Sequence, residues 1–410
     1  MGILFLDGLI LVGDGRVLER ASVMVEGERI AGVWEGRSSF PKGAHRVDIS
    51  GCTLLPGLID AHVHFCLDGS PDPMGVLERT PDALLALRMA KHARQTLLSG
   101  VTSVRDMGGK NGVDLVVRDA IREGIIPGPR MMASGKPIVM TGGHGWQMAR
   151  EADGPNEVRK AAREQMKAGA DLVKLMATGG VMTPGVEPGS AQLTEEELRA
   201  AVEEAHKAGR RAATHAQGAE GIMNALRAGI DSIEHGVFLT EEAVALMLER
   251  GVPLIPTISA LNCIEQNGLE AGIPAYAVEK TKRVKSGFLQ SLNMAREAGV
   301  RVAMGTDAGT PFNLHGENSR ELELMVELGG FSPGQAIEAA TQVGAQVLGL
   351  EKDLGTIEEG KLADLIVVRG NPLEELGLLR NRQKIMWVLK GGKPVKAEGK
   401  IQIDQEGGAA

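Results

Sequence analysis

Tyrosine occurs once in these 410 residues, at Tyr276, and all aromatics together make up 3%. Phenol chemistry therefore has one candidate group. Cysteine is nearly as scarce. Cys52, Cys66 and Cys263 form an odd, widely spaced set, which excludes a disulfide framework and any Cys-based zinc motif. No run approaches the ~20 uninterrupted apolar residues of a membrane span. The N-terminus has no charged leader region, and Asp7 breaks its apolar stretch early, so neither secretion nor membrane insertion is expected and a cytoplasmic location is. Positive charge is also in deficit. Against 53 acidic residues there are 45 Lys and Arg, for a net charge of −8 and no basic run, which argues against nucleic-acid or anionic-membrane partners.

What is present is an ordinary globular composition, 43% apolar and 24% charged, with 55 glycines suited to many tight turns. The length suits one large domain plus an accessory. Short strand-like runs open the chain at Ile3-Leu6, Leu9-Val12, Ser22-Val25 and Ile30-Trp34, with Gly13-Asp14-Gly15 and Glu26-Gly27-Glu28 as turns. Strand-like runs return at Leu365-Val368 and Ile385-Leu389. The expectation is a small β-sandwich domain assembled from residues 1–55 and 351–410, ending in a frayed tail over 405–410.

Residues 56–350 alternate apolar runs with segments of helical period. The runs are Leu54-Phe65, Val101-Asp106, Arg130-Ala133, Leu172-Ala177, Arg211-His215, Ser232-Val237, Val252-Ser259 and Val302-Asp307. Thr194 followed by Glu197 marks one helix start as a capping box. Eight strands alternating with helices predict an α/β fold, a closed (β/α)8 TIM-like barrel. An open doubly wound sheet is the structural alternative, but no Gly-rich dinucleotide fingerprint follows the first strand.

Polar residues interrupt these apolar runs at their ends. His62 and His64 close the first barrel strand and, two apart, share one face. Lys174 breaks the fourth run, His215 ends the fifth, His235 lies at the end of the sixth and Asp307 ends the eighth. In such barrels the C-terminal strand ends form the active face, so six polar groups converge there. Such a cluster is costly in an apolar setting unless something binds it. Each residue alone has a bland reading, as a satisfied histidine, a snorkelling lysine or a capping aspartate; their joint placement does not. His92 and His206 fall in helical stretches, His45 in a loop before the barrel, and His315 at an expected helix start near the pocket rim.

Pro56-Gly57-Leu58-Ile59-Asp60-Ala61-His62-Val63-His64 resembles the first-strand signature of the amidohydrolase superfamily, and Gly355-Thr356-Ile357-Glu358-Glu359-Gly360-Lys361-Leu362-Ala363-Asp364-Leu365 resembles the return into its small β-domain. Met140-Thr141-Gly142-Gly143-His144-Gly145 is similar to a loop of its prolidase-like branch. That branch holds metal-dependent dipeptidases and carboxypeptidases acting on N-acyl amino acids, and ochratoxin-hydrolysing amidases are similar to it. The resemblance implies two divalent metal ions, zinc by preference. His62, His64 and Asp307 would hold one and His215 and His235 the other. Lys174 would bridge them as a carbamate, since an ammonium has no lone pair.

It further implies a hydrolase that cleaves a linear amide, a dipeptide or N-acyl amino acid, by attack of a metal-bridging hydroxide. Asp307 and His235 would be catalytic, and His144 would bind substrate. Homo-oligomers are common among proteins of this resemblance. Cyclic-amide hydrolysis, as in imidazolonepropionase-, hydantoinase- or dihydroorotase-like relatives, is the alternative, with deamination beside it and a non-catalytic scaffold further off. One departure concerns substrate binding: no tyrosine follows the seventh strand until Tyr276. That leaves Tyr276, His315 and Arg105 as candidates for the substrate; Arg105 is equally an ion-pair partner for Asp106.

Overall fold

Strand formation begins at once. β1 (Ile3–Leu11), β2 (Val17–Glu26) and β3 (Arg29–Glu35) run antiparallel, with Gly27 at positive φ in the two-residue loop between the last two. The computed structural model describes residues 2–36, 39–41 and 43–402, so the expected tail over 405–410 lies outside it. The two expected opening strands are one. Asp7 at φ 58° and a register shift around Gly8 form a bulge that bends β1 without ending it. His45 is not in a loop. It starts β4 (His45–Asp48), which pairs parallel to β1 and is followed by β5 (Cys52–Pro56).

The ring of barrel strands starts with β6 (Leu58–Val63), β7 (Val101–Asp106) and β8 (Arg130–Ala133). Two short strands, β9 (Ile138–Val139) and β10 (Arg150–Glu151), lie in the connection that follows. β11 (Leu172–Met176), β12 (Arg211–Ala216), β13 (Ser232–His235) and β14 (Leu254–Ile255) continue it, all parallel. The last segment closes the circle without regular strand geometry. Val302 bridges Leu254 on one side, and Ala308 bridges Val63 on the other. The fold is a (β/α)8 barrel with a β-rich domain.

The seventh strand is far shorter than its apolar run. Pro256 has no N–H to give the ladder and Thr257 sits at φ 55°, so the chain turns out into the helix Ile258–Asn267. The expected helix cap at Thr194 is present, with side chain and backbone of Thr194 and Glu197 bonded reciprocally before the helix Glu195–Lys207.

After the barrel, β15 (Leu365–Arg369), β16 (Ile385–Lys390), β17 (Lys393–Ala397) and β18 (Lys400–Ile401) join the N-terminal strands in one nine-stranded sheet. β15 pairs with β5, so the two ends of the chain meet edge to edge. The sheet curls on itself, bringing Phe5 edge-on to Trp387 at 5.4 Å between ring centroids, over a core separate from that of the barrel. All three cysteines are free, and no helix among the described residues is long and apolar enough to cross a membrane.

Candidate metal centre

Strand geometry places the six polar residues at one mouth. His62, His64, Lys174, His215, His235 and Asp307 line a single cleft, together with His144. Ring centroids of His62 stand 5.3 Å from His64 and 5.1 Å from His235, and His215 lies 4.6 Å from His235. Asp307 Oδ1 is 3.5 Å from Nε2 of both His62 and His64. Ligand atoms of His62, His235 and Asp307 all lie within 4.8 Å of one another, a spacing that could hold a metal ion.

Two of these side chains reach the mouth through unusual backbone. His235 has φ 71° and Asp307 φ 57°. Left-handed non-glycine residues cost of order 1–3 kcal/mol each and persist where surrounding structure imposes them. On β13, Glu234 points into the barrel, and strict alternation would turn His235 away from it. The positive φ redirects the imidazole to the cleft.

The hydrogen-bond network fixes each tautomer. His62 Nδ1–H donates to Glu234 Oε2 at 2.8 Å, and His64 Nδ1–H to Gly108 O at 2.9 Å. Thr257 gives its hydroxyl hydrogen to Pro256 O at 2.6 Å, so it accepts from His235 Nδ1–H at 2.7 Å. These three rings therefore present Nε2 lone pairs. His215 is reversed: Nε2–H donates to Gly179 O at 2.9 Å, leaving Nδ1 free. Outer partners of this kind orient metal-ligating histidines.

Burial drives the electrostatics. Desolvation holds His64 down to about 4 and pushes His62, His215 and His235 well below the usual histidine value, so all four are neutral near pH 7. Lys174, 1% exposed, is lowered to about 8 by the same cause, against the pull of Glu234 and Asp307. It is buried without a hydrogen bond to any described residue. Asp307 is raised to about 7, by desolvation first, with Lys174 opposing and Asp60 and Glu234 reinforcing. Four neutral imidazoles and a carboxylate form a donor set that suits divalent cations.

Two carboxylates to which the sequence assigned no role of their own hold this set in place. Glu234, fully buried, bridges His62 to Arg105, whose Nη2 donates to Oε1 at 2.7 Å. Asp60 accepts from the backbone N of His62 and Thr306, from Thr306 Oγ1 at 2.6 Å and from Asn318 Nδ2 at 2.7 Å, tying β6 to the segment that carries Asp307.

The structure corrects three expectations about substrate contacts. Arg105 is neither a carboxylate clamp nor the partner of Asp106; its guanidinium is spent inside the barrel on Ala61 O, Ser232 and Glu234. His315 starts no helix and is not at the rim. It is buried, donates to Leu67 O at 2.9 Å and stacks on His92 at 4.5 Å. Tyr276 does not line the cleft, and its hydroxyl donates to Met182 O at 3.2 Å. One turn along the same helix (Ala275–Ala298), Lys280 donates to Thr183 O and Val186 O at 2.5 Å, so this helix grips the loop following β11.

That loop carries Thr183, which orients His144. Gly145 N–H donates to Thr183 Oγ1, and the same hydroxyl pairs with His144 Nδ1 at 2.9 Å. The ring lines the cleft 4.4 Å from His215, and desolvation lowers it to about 3, which keeps it neutral. A Cβ at Gly180 would collide with the same ring. Gly180→Ala is therefore expected to keep its metal content and lose on the order of 10²-fold in kcat/KM, the scale for a misplaced contact group. Steady-state kinetics with metal analysis check this, and wild-type kinetics would show that the His144 position is immaterial.

Residues 53–395 match the family model described as Amidohydrolase family. The chain belongs to the amidohydrolase family. It is 34% identical to ochratoxinase from Aspergillus niger, over 96% of this chain and 86% of that one. Among solved structures, this amidohydrolase superposes on a Xaa-Pro dipeptidase with bound methionine (TM-score 0.88, 36% identity, 97% of this chain and 100% of that one). A prolidase complexed with N-methylphosphonate-L-proline gives a TM-score of 0.89 at 33% identity, with the same coverage. As a member of this family, with prolidase-like and ochratoxinase neighbours, the protein is a hydrolase acting on amide or peptide bonds.

Proposed function

We propose that this amidohydrolase is a two-metal enzyme that hydrolyses a linear amide, a dipeptide or an N-acyl amino acid. The observation that carries it is the gathering of four histidines, Asp307 and a buried Lys174 in one cleft, with ligand atoms of His62, His235 and Asp307 all within 4.8 Å of one another. In this reading His62, His64 and Asp307 would hold one cation and His215 and His235 the other, and Lys174, once carbamylated, would supply oxygen donors to both. Its lowered pKa supports that role, because only the neutral amine reacts with carbon dioxide. Zinc matches the donors. Such cations, when bound, lower the pKa of water and polarise a carbonyl.

The chain's own groups do the rest. Asp307, in the cleft beside His62 and His64, takes the proton from the attacking water and returns it to the leaving nitrogen. His235 is fixed by Thr257 beside it, and His144, lining the same cleft, donates to an oxygen of the substrate. The relatives named above, a dipeptidase, a prolidase and an ochratoxinase, support the linear amide over a cyclic one. The test is a panel of dipeptides, N-acyl amino acids and cyclic amides, read by release of free amino acid from zinc-loaded and chelator-treated protein. Turnover of linear amides, abolished by chelation and restored by zinc, is expected. Turnover of cyclic amides alone would overturn the reading.

A further inference from the structure

The first N–H groups of a helix have no partner within it, and a threonine placed just before the first turn usually accepts from one of them. Thr257 occupies that place ahead of the helix Ile258–Asn267, yet its side chain makes no bond to the helix. The hydroxyl is spent elsewhere, donating to Pro256 O at 2.6 Å and accepting from His235 Nδ1–H at 2.7 Å. The backbone of Thr257 is left-handed, at φ 55° and ψ 50°. A β-branched residue holds that conformation only where its surroundings impose it.

Glu321 supplies the missing cap. It lies in the first turn of the helix Arg320–Glu327 and is fully buried. Ile258 N–H donates to its Oε1 and Ser259 N–H to its Oε2, both at 2.7 Å. A carboxylate suits the place, with one oxygen for each N–H and a negative charge at the positive end of the helix dipole. Burial pushes the group up to about 8 while the donors from Ser259 and Ile258 pull against it, and lengths of 2.7 Å are those of charge-assisted bonds. One turn earlier, Asn318 Nδ2 donates to Asp60 Oδ2, so the same short segment also reaches the residue that ties β6 to Asp307.

We propose that Glu321 is a positioning residue of the candidate metal centre. By capping the helix in place of Thr257, it frees the threonine hydroxyl for His235 and holds the left-handed turn that presents it. This rests on the two-metal reading above and adds a residue that touches neither metal nor substrate.

The test reads zinc affinity of the full-length protein by competition with a chromophoric chelator, alongside kcat/KM on a linear amide. Glu321→Gln keeps the size of the side chain but offers one acceptor oxygen, so one N–H loses its partner. Glu321→Gln and Thr257→Val should each weaken zinc binding about 10-fold or more, the scale for loss of an outer partner of a ligand. Thr257→Ser, which keeps the hydroxyl, should bind as the wild type does. The double variant should be no weaker than the worse single one, because both changes break one chain of contacts. Losses that multiply would show that Glu321 acts by another route and would overturn the proposal, as would wild-type affinity in Glu321→Gln. Glu321→Asp keeps the charge but is one methylene too short for both N–H groups. It should show the same loss, and it takes the place of Glu321→Gln if circular dichroism finds that variant unfolded. Wild-type affinity in Glu321→Asp would mean that charge alone suffices, which also overturns the proposal. A wild type that binds zinc but cleaves no amide would sink the hydrolase reading alone, since the affinities are read without substrate.

Discussion

Asp307→Asn is expected to keep most of its bound metal and lose at least ~10²-fold in kcat, the low end for a positioned acid–base group. Asparagine is the informative replacement because it preserves the local structure. Asp307 holds φ 57°, a conformation that asparagine tolerates better than most residues. Its backbone N–H is anchored to His62 O at 2.7 Å whatever the side chain. Asparagine also keeps an oxygen at the position 3.5 Å from both His62 and His64. What it cannot do is hold a proton and pass it on. Metal analysis and steady-state kinetics on the same preparation separate the two functions. Near-wild-type turnover with metal retained would remove Asp307 from the role of general base.

The second large effect is expected at Lys174. Replacing it by alanine should cost one of the two metals and reduce activity by more than the ~10²-fold seen when an outer partner of a ligand is lost. The side chain is buried among the other residues of the centre, and burial lowers it to about 8, so about a tenth of it is neutral at pH 7. Carbamylation converts that amine into an anion with two oxygen donors and removes the cost of an unpaired buried cation. Reconstitution of wild-type apoprotein should therefore be faster when bicarbonate accompanies zinc, and the alanine variant should show no such dependence. Two metals per chain in Lys174→Ala would contradict the bridging role.

The six residues of the candidate centre stand out in the sequence because each is polar within an apolar run, Lys174 in the middle of β11 and the others at or near strand ends. The residues that orient them were not. Glu234 sits directly before His235 and reads as an ordinary polar neighbour; its role depends on crossing the barrel to His62 and Arg105. Asp60 likewise acts through residues 246 and 258 positions away, Thr306 and Asn318.

Arg105 was misread because sequence proximity suggested Asp106, whereas alternation along β7 turns the two side chains to opposite faces. Asp106 in fact accepts from the backbone N of Phe65 and Gly108. The seventh strand was overextended because its apolar run continues through a proline and a left-handed threonine that end the ladder. The grip of Tyr276 and Lys280 on the loop carrying Thr183 left no local pattern, since it joins residues some 95 positions apart.

The most direct test of the two-cation centre is the number of metal equivalents bound per chain. The protein would be stripped with chelator, reconstituted with excess zinc and bicarbonate, freed of loose metal and assayed by elemental analysis. Two equivalents per chain, both needed for full amide turnover, are predicted. Full activity with a single equivalent would contradict the bridged pair.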